Sequence, residues 1–522
     1  MIHKIKVFTV VLAISVIFSS CKKVSDDIPK EPFQTANTVL LTEDPSETVT
    51  VPSETEETAD FEESVTESET ASQSDTETET ETAETSAKKK KQTISSAETA
   101  ATVGKSATAF VSSEVTASET AAATTVTTVT TVVELTIQSE SPTETTAKKS
   151  KSYSALNYRE QKGIWISYLE YSSAMMNKSE SEFRKTIGGY FDNVNSLGFN
   201  TVYVQVRAFG DAYYKSKLFP TGDRYNGTIG ASLEYDPLKI MTEEAHSRDI
   251  SLHAWINPMR LMTDSQMKKL SDSFTVKKWY NDSGKKGKYI VKSGDRWYLN
   301  PAYPEVEKLI CAGIAEIVSG YDVDGIQIDD YFYPTTSASF DKAAYSSSRT
   351  DKSLSEWRIS NINDMVARMN KTVHSVSSDV LFGISPQGSI DNNYNELYAD
   401  VKTWCGSSLY CDYILPQVYF GFDNAALPYN DVIKLWSDMT SSGKVKLVIG
   451  LAGYKIGAVD NYAGSSGKNE WLNNSDIISK QIKKAETLDN YGGVAIFRYG
   501  SIFEPDSSVA KQVNAELKNI RK

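Results

Sequence analysis

A chain of 522 residues with a net charge of −13 has room for several domains, but its charge is unevenly spread. Residues 22–150 hold 25 acidic against 10 basic side chains, so the rest of the chain is close to neutral and offers no basic face for a nucleic acid. Four His and four Cys, at no ligand spacing, give no zinc site, and no cofactor or metal is expected.

The amino terminus reads as an export signal over residues 1–20. His3, Lys4 and Lys6 are followed by an apolar run over residues 7–18, too short for a comfortable membrane span, and then by Ser19 and Ser20. Small residues directly before Cys21 are similar to the lipobox of bacterial lipoproteins, which implies acylation of Cys21 and a lipid-anchored, extracytoplasmic protein. A plain secretory signal with Cys21 a bystander is the other reading. Residues 21–152 are mostly Thr, Ser, Glu and Ala; they cannot bury enough apolar surface to offset their own ordering and are expected to form a disordered linker. Among the remaining cysteines, Cys405 and Cys411 stand close enough to close a small loop or to remain two free thiols, and Cys311 reads as a buried small hydrophobe.

From residue 153 to 522 the texture changes. Short apolar runs at 163–168, 201–207, 251–256, 325–328, 381–385, 413–418, 446–451 and 493–497 alternate with amphipathic stretches, several opening on Ser or Pro as helices do. Eight strand–helix repeats predict an α/β fold, a (β/α)8 TIM barrel, with long insertions at residues 209–235 and 261–300. In such a barrel the chemistry lies where strands end. The fourth run ends in Asp329 and Asp330; alternation puts Gln327 and Asp329 on one face and Ile326 and Ile328 on the other. Adjacent acids there suit proton transfer, although Asp330 capping a turn and Asp329 on the surface is also open.

The other strand ends supply Gln205, Arg207, Asp211, Trp255, Asn257, Arg260, Tyr331, Tyr333, Gln387, Gln417 and Tyr419. Amides, arginines, carboxylates and aromatics on one rim suit a sugar, whose ring faces stack on aromatics while its hydroxyls take hydrogen bonds. His253 reads as a wall residue.

The segments Gly163-Ile-Trp-Ile, Gly198-Phe-Asn-Thr-Val-Tyr-Val-Gln-Val-Arg207, His253-Ala-Trp-Ile-Asn-Pro-Met-Arg260, Trp297-Tyr-Leu-Asn-Pro301, Asp324-Gly-Ile-Gln-Ile-Asp-Asp-Tyr-Phe-Tyr-Pro334 and Leu415-Pro-Gln-Val-Tyr419 resemble, in that order, the glycosyl-hydrolase-like 10 family of bacterial cell-surface proteins. The resemblance implies glycosidic hydrolysis at a polysaccharide, a cell-wall glycan foremost, with Asp329 and Asp330 central and Gln327 standing where the family commonly carries His. In the expected mechanism Asp329 is nucleophile or base and Asp330, raised by its neighbour, is the acid; Asp211, Asp391 or Glu170 are alternative acids. A non-catalytic glycan-binding lipoprotein is the rival reading, and a metal-dependent deacetylase a weaker third.

Overall fold

The computed structural model describes residues 153–521. The export signal, Cys21 and the linker therefore lie outside the described residues.

Eight parallel strands close into a barrel: β1 (Gln161–Ile166), β2 (Thr201–Arg207), β3 (Ser251–Ile256), β7 (Gly325–Ile328), β8 (Leu381–Ile384), β9 (Tyr413–Ile414), β10 (Lys446–Ala452) and β11 (Tyr491–Phe497). Each pairs with its neighbours in sequence around the ring, β11 closing on β1 through Gly163 opposite Ala495. Such strands are shielded on both sides, which is why β2 is buried at all seven positions, Gln205 and Arg207 included. Helices cover the outside. Glu180–Ser196 and Leu354–Val376 start on capping boxes, Ser179 with Glu182 and Ser353 with Glu356, and Pro304–Gly320 starts on proline.

Large side chains fill the barrel floor only because glycines face them. A Cβ on Gly325 would lie 2.2 Å from His253 Nδ1, and one on Gly383 would lie 1.9 Å from the Tyr413 ring. In that space the Tyr413 hydroxyl and His253 Nδ1 share a hydrogen bond of 2.8 Å, and Tyr203 donates to Gln161 at 2.8 Å. Burial lowers His253 to about 4, so it sits in the wall as a neutral ring.

The segment at 261–300 is more ordered than its reading as a long loop. It carries a three-stranded antiparallel sheet, β4 (Arg260–Thr263), β5 (Ile290–Ser293) and β6 (Arg296–Leu299), in the order β4-β6-β5, with helices Asp264–Lys269 and Thr275–Asn281 between. Strands of four residues give too short an alternation to detect in sequence. Cys311, Cys405 and Cys411 are free thiols.

Residues 153–160 run beneath the barrel, at the strands' amino ends. Tyr153 donates to the Asp324 carboxylate, which also takes the backbone N–H groups of Leu156 at 2.7 Å and Leu252 at 2.6 Å, and His246 Nε2 lies 3.0 Å away. Lys446 Nζ reaches the Tyr158 carbonyl at 2.7 Å. No described helix is long and apolar enough to cross a membrane.

Candidate active site

β7 ends at Ile328, and the next two residues carry both acids across the rim. Each is 4% exposed. Asp329 continues the inward phase of Gln327: its Oδ2 accepts from Trp255 Nε1 at 2.9 Å and Asn257 Nδ2 at 2.6 Å, and its Oδ1 takes the Tyr331 backbone N–H at 3.3 Å. Asp330 turns toward β8 and β9, where Gln387 donates to Oδ2 at 3.2 Å and Gln417 to Oδ1 at 3.0 Å. Isolated bridges that continue β8 to β9 at Gln387 and Gln417 hold those amides in place. Neither acid is a surface residue.

A layer of interlocked amides supports the pair. Gln205 Nε2 donates to Asn257 Oδ1 at 2.7 Å, while Gln205 Oε1 accepts from the Tyr168 backbone at 3.1 Å, so Asn257 can present only its N–H to Asp329. Below, Trp165 Nε1 donates to Gln327 Oε1 at 2.8 Å and leaves Gln327 Nε2 a buried donor without a partner.

Burial raises both carboxyl groups above the ordinary carboxylate range, and the charge of Asp330 raises Asp329 further. The N–H donors and Arg260 oppose this, but desolvation is the larger cause at both acids. The two acids titrate as a pair, both held above the ordinary range chiefly by desolvation. Two adjacent buried acids hold one proton between them more readily than two charges.

Aromatic rings wall the same rim. Phe497 packs with Trp165, Trp255, Tyr419 and Tyr454 at centroid separations of 5.9, 6.4, 6.0 and 6.2 Å. Lys455 fixes Tyr419 by donating to its carbonyl at 2.8 Å and pairing with Asp460 at 2.6 Å. Phe497 and Trp165 were not picked out from sequence, because each reads as one more apolar residue of a core strand. Arg260 and Tyr331 meet at the opposite side, the guanidinium 4.0 Å from the ring centroid.

The structure does not bring Arg207, Asp211 and Tyr333 to the carboxylates. A register shift between β2 and β3 at Gln205 and Arg207 turns the arginine outward, over the Phe219 ring at 4.4 Å and against Gly313, where a Cβ would meet its Nη1 at 2.2 Å. Asp211 caps the turn after β2, accepting the Ala208 and Phe209 backbone N–H groups at 2.9 Å each, and burial raises it to about 6. Tyr333 packs behind the site against Phe340, Tyr398 and Arg358. Of the alternative acids, Glu170 is bound by Arg498, by the Gly500 N–H at 3.0 Å and by Ser167, and Asp391 is exposed on helix Ile390–Asn395. Among the described residues, no group of three or more His, Cys, Asp or Glu could hold a metal ion.

A closed parallel barrel with paired acids, amides and aromatic rings on its carboxyl rim defines a glycosyl-hydrolase-like barrel protein. Residues 160–465 match the family described as Glycosyl hydrolase-like 10, and the chain belongs to that family. Among curated relatives it is 32% identical over 385 residues to the glycosyl hydrolase DigH of Escherichia coli strain K12, covering 67% of this chain and 85% of that one. It is 32% identical over 325 residues to the glycosyl hydrolase YngK of Bacillus subtilis strain 168, covering 57% and 61%. Solved structures are more distant: an alpha-L-fucosidase from Paenibacillus thiaminolyticus at 13% identity and TM-score 0.44, covering 69% of this chain and 48% of that one, and a beta-1,4-D-mannanase from Cryptopygus antarcticus at 11% and 0.39, covering 71% and 93%.

Proposed function

We propose that the chain hydrolyses glycosidic bonds of a cell-wall polysaccharide from outside the cytoplasm, held to a membrane through an acylated Cys21. The observation that supports the hydrolase reading is the Asp329–Asp330 pair, buried at the carboxyl rim among amide donors and aromatic rings. Its relatives' names and the family support the same reading. The lipobox-like Ser19-Ser20-Cys21 and the export signal support the location.

The donors define the roles. Asp329 Oδ2 is occupied by Trp255 and Asn257, so its proton sits on Oδ1 and is given to the departing glycosidic oxygen. Asp330 carries the negative charge, steadied by two amide N–H groups, and serves as nucleophile or base. Trp255, Tyr419 and Phe497 offer ring faces to the sugar, and Gln327 Nε2 offers a donor. Purified wall glycan incubated with the full chain is expected to gain reducing ends, and the Asp329→Asn and Asp330→Asn variants to produce none. Glycan binding without new ends in the unaltered protein would instead make this a binding lipoprotein.

A further inference from the structure

The small antiparallel sheet brings two arginines to the rim that take no part in the proposed proton transfer. Arg260, from β4, is 3% exposed, with its guanidinium between the rings of Tyr331 at 4.0 Å and Phe209 at 4.5 Å. Its Nε and Nη1 have no hydrogen-bond partner, and its charge reaches Asp329 and Asp330 only through space. Arg296, from β6, stacks over Phe209 at 4.2 Å; its acid is Asp295, 3.8 Å away and largely exposed. The buried Tyr168 hydroxyl, also unpartnered, packs edge-on to Phe209 at 5.0 Å. A buried guanidinium with unused N–H groups is costly unless something fills them.

We infer that Arg260, with Arg296 and the Tyr168 hydroxyl, forms a subsite for a carboxylate carried by the sugar beside the cleaved bond. The inference rests on the hydrolase reading for its position next to Asp329 and Asp330. A planar guanidinium suits a carboxylate in two-point contact, and an aromatic sandwich fixes its plane without using its N–H groups. The carboxylate could belong to a hexuronic acid ring or to an acidic ether on an amino sugar.

The test uses the full chain carrying Asp330→Asn, so that binding is read without turnover. Calorimetry compares a hexuronate oligosaccharide and a muramic-acid oligosaccharide, each native and as its methyl ester. For one of the two sources the native acid is expected to bind roughly 10- to 100-fold tighter than its ester, the range of a charge-assisted hydrogen bond. Adding Arg260→Gln should bring that ratio to about 2 or less, and Arg260→Lys should restore part of it. Equal binding of acid and ester, or no binding of either acid, overturns the subsite, and the comparison stands even if the Arg260 variants fail to fold. Selective binding with no reducing ends from the unaltered protein would sink the hydrolase reading and keep the subsite; cleavage of acid and ester at equal kcat/KM would do the reverse.

Discussion

Asn257→Ala tests which acid carries the proton. The side chain it removes gives a 2.6 Å hydrogen bond to Asp329 Oδ2 and receives one from Gln205. A hydrogen bond to a charged group contributes about 1.5–3 kcal/mol, and 1.36 kcal/mol is one pKa unit, so losing this donor should raise Asp329 by about 1–2 units. The sign is upward, because the lost N–H favoured the ionised form. With Asp329 as general acid, the alkaline limb of kcat/KM moves up by that amount while the acid limb, set by Asp330, stays in place. Gln205 Nε2 also loses its acceptor, a cost of about 1–3 kcal/mol in stability, so thermal unfolding of the variant is followed alongside. The assay is release of reducing ends from a cleaved glycan between pH 4 and 9. Movement of the acid limb alone would show that Asp329 works ionised, and an unmoved profile would show that it does not titrate in catalysis at all; either result refutes the reasoning.

Asp211→Asn should stabilise the protein at pH 7.5 by on the order of 2 kcal/mol, since burial raises this carboxyl to about 6 from an ordinary value near 4. A raised carboxyl contributes stability that is fully present below its unfolded pKa and is lost as pH climbs through the folded one, so denaturant titration should show the gain vanishing near pH 4. The same variant should keep its activity, because Asp211 holds the turn after β2 and not the site. Asp341→Ala leaves Arg358 charged and buried, and should cost about 3–5 kcal/mol by chemical denaturation. Gly383→Ala forces a methyl group into the Tyr413 ring and should cost at least about 1–3 kcal/mol, read as a lowered Tm.

The barrel was legible because its strands are shielded on both sides, so each appears as a short, mostly apolar run between helical stretches, several of which start on Ser or Pro. Period-two alternation likewise placed Gln327 and Asp329 on the inner face, where they stand. It failed at Arg207, because a one-residue irregularity in the β2–β3 pairing reverses the side of everything after it, and nothing in the composition marks such a slip. Tyr333 was misplaced for a related reason: beyond Asp330 the chain is no longer a strand, and alternation has no meaning there. Which amides face which acid was not legible, because those amides come from three strand ends far apart in sequence. Phe497 and Trp165 were hidden by being apolar, since a ring at the rim and a ring in the core are the same residue in one dimension.

The Tyr153–Asp324–His246 junction fixes the point of entry of the polypeptide on the side of the barrel away from the catalytic rim. The chain therefore enters the barrel at residue 153 on the face away from Asp329 and Asp330, and an attachment made through the amino terminus approaches from behind the carboxyl rim. Immobilising the protein by that end, on a bead or a sensor chip, should leave access of long glycans intact, whereas coupling through lysines of the 261–300 insertion should block it.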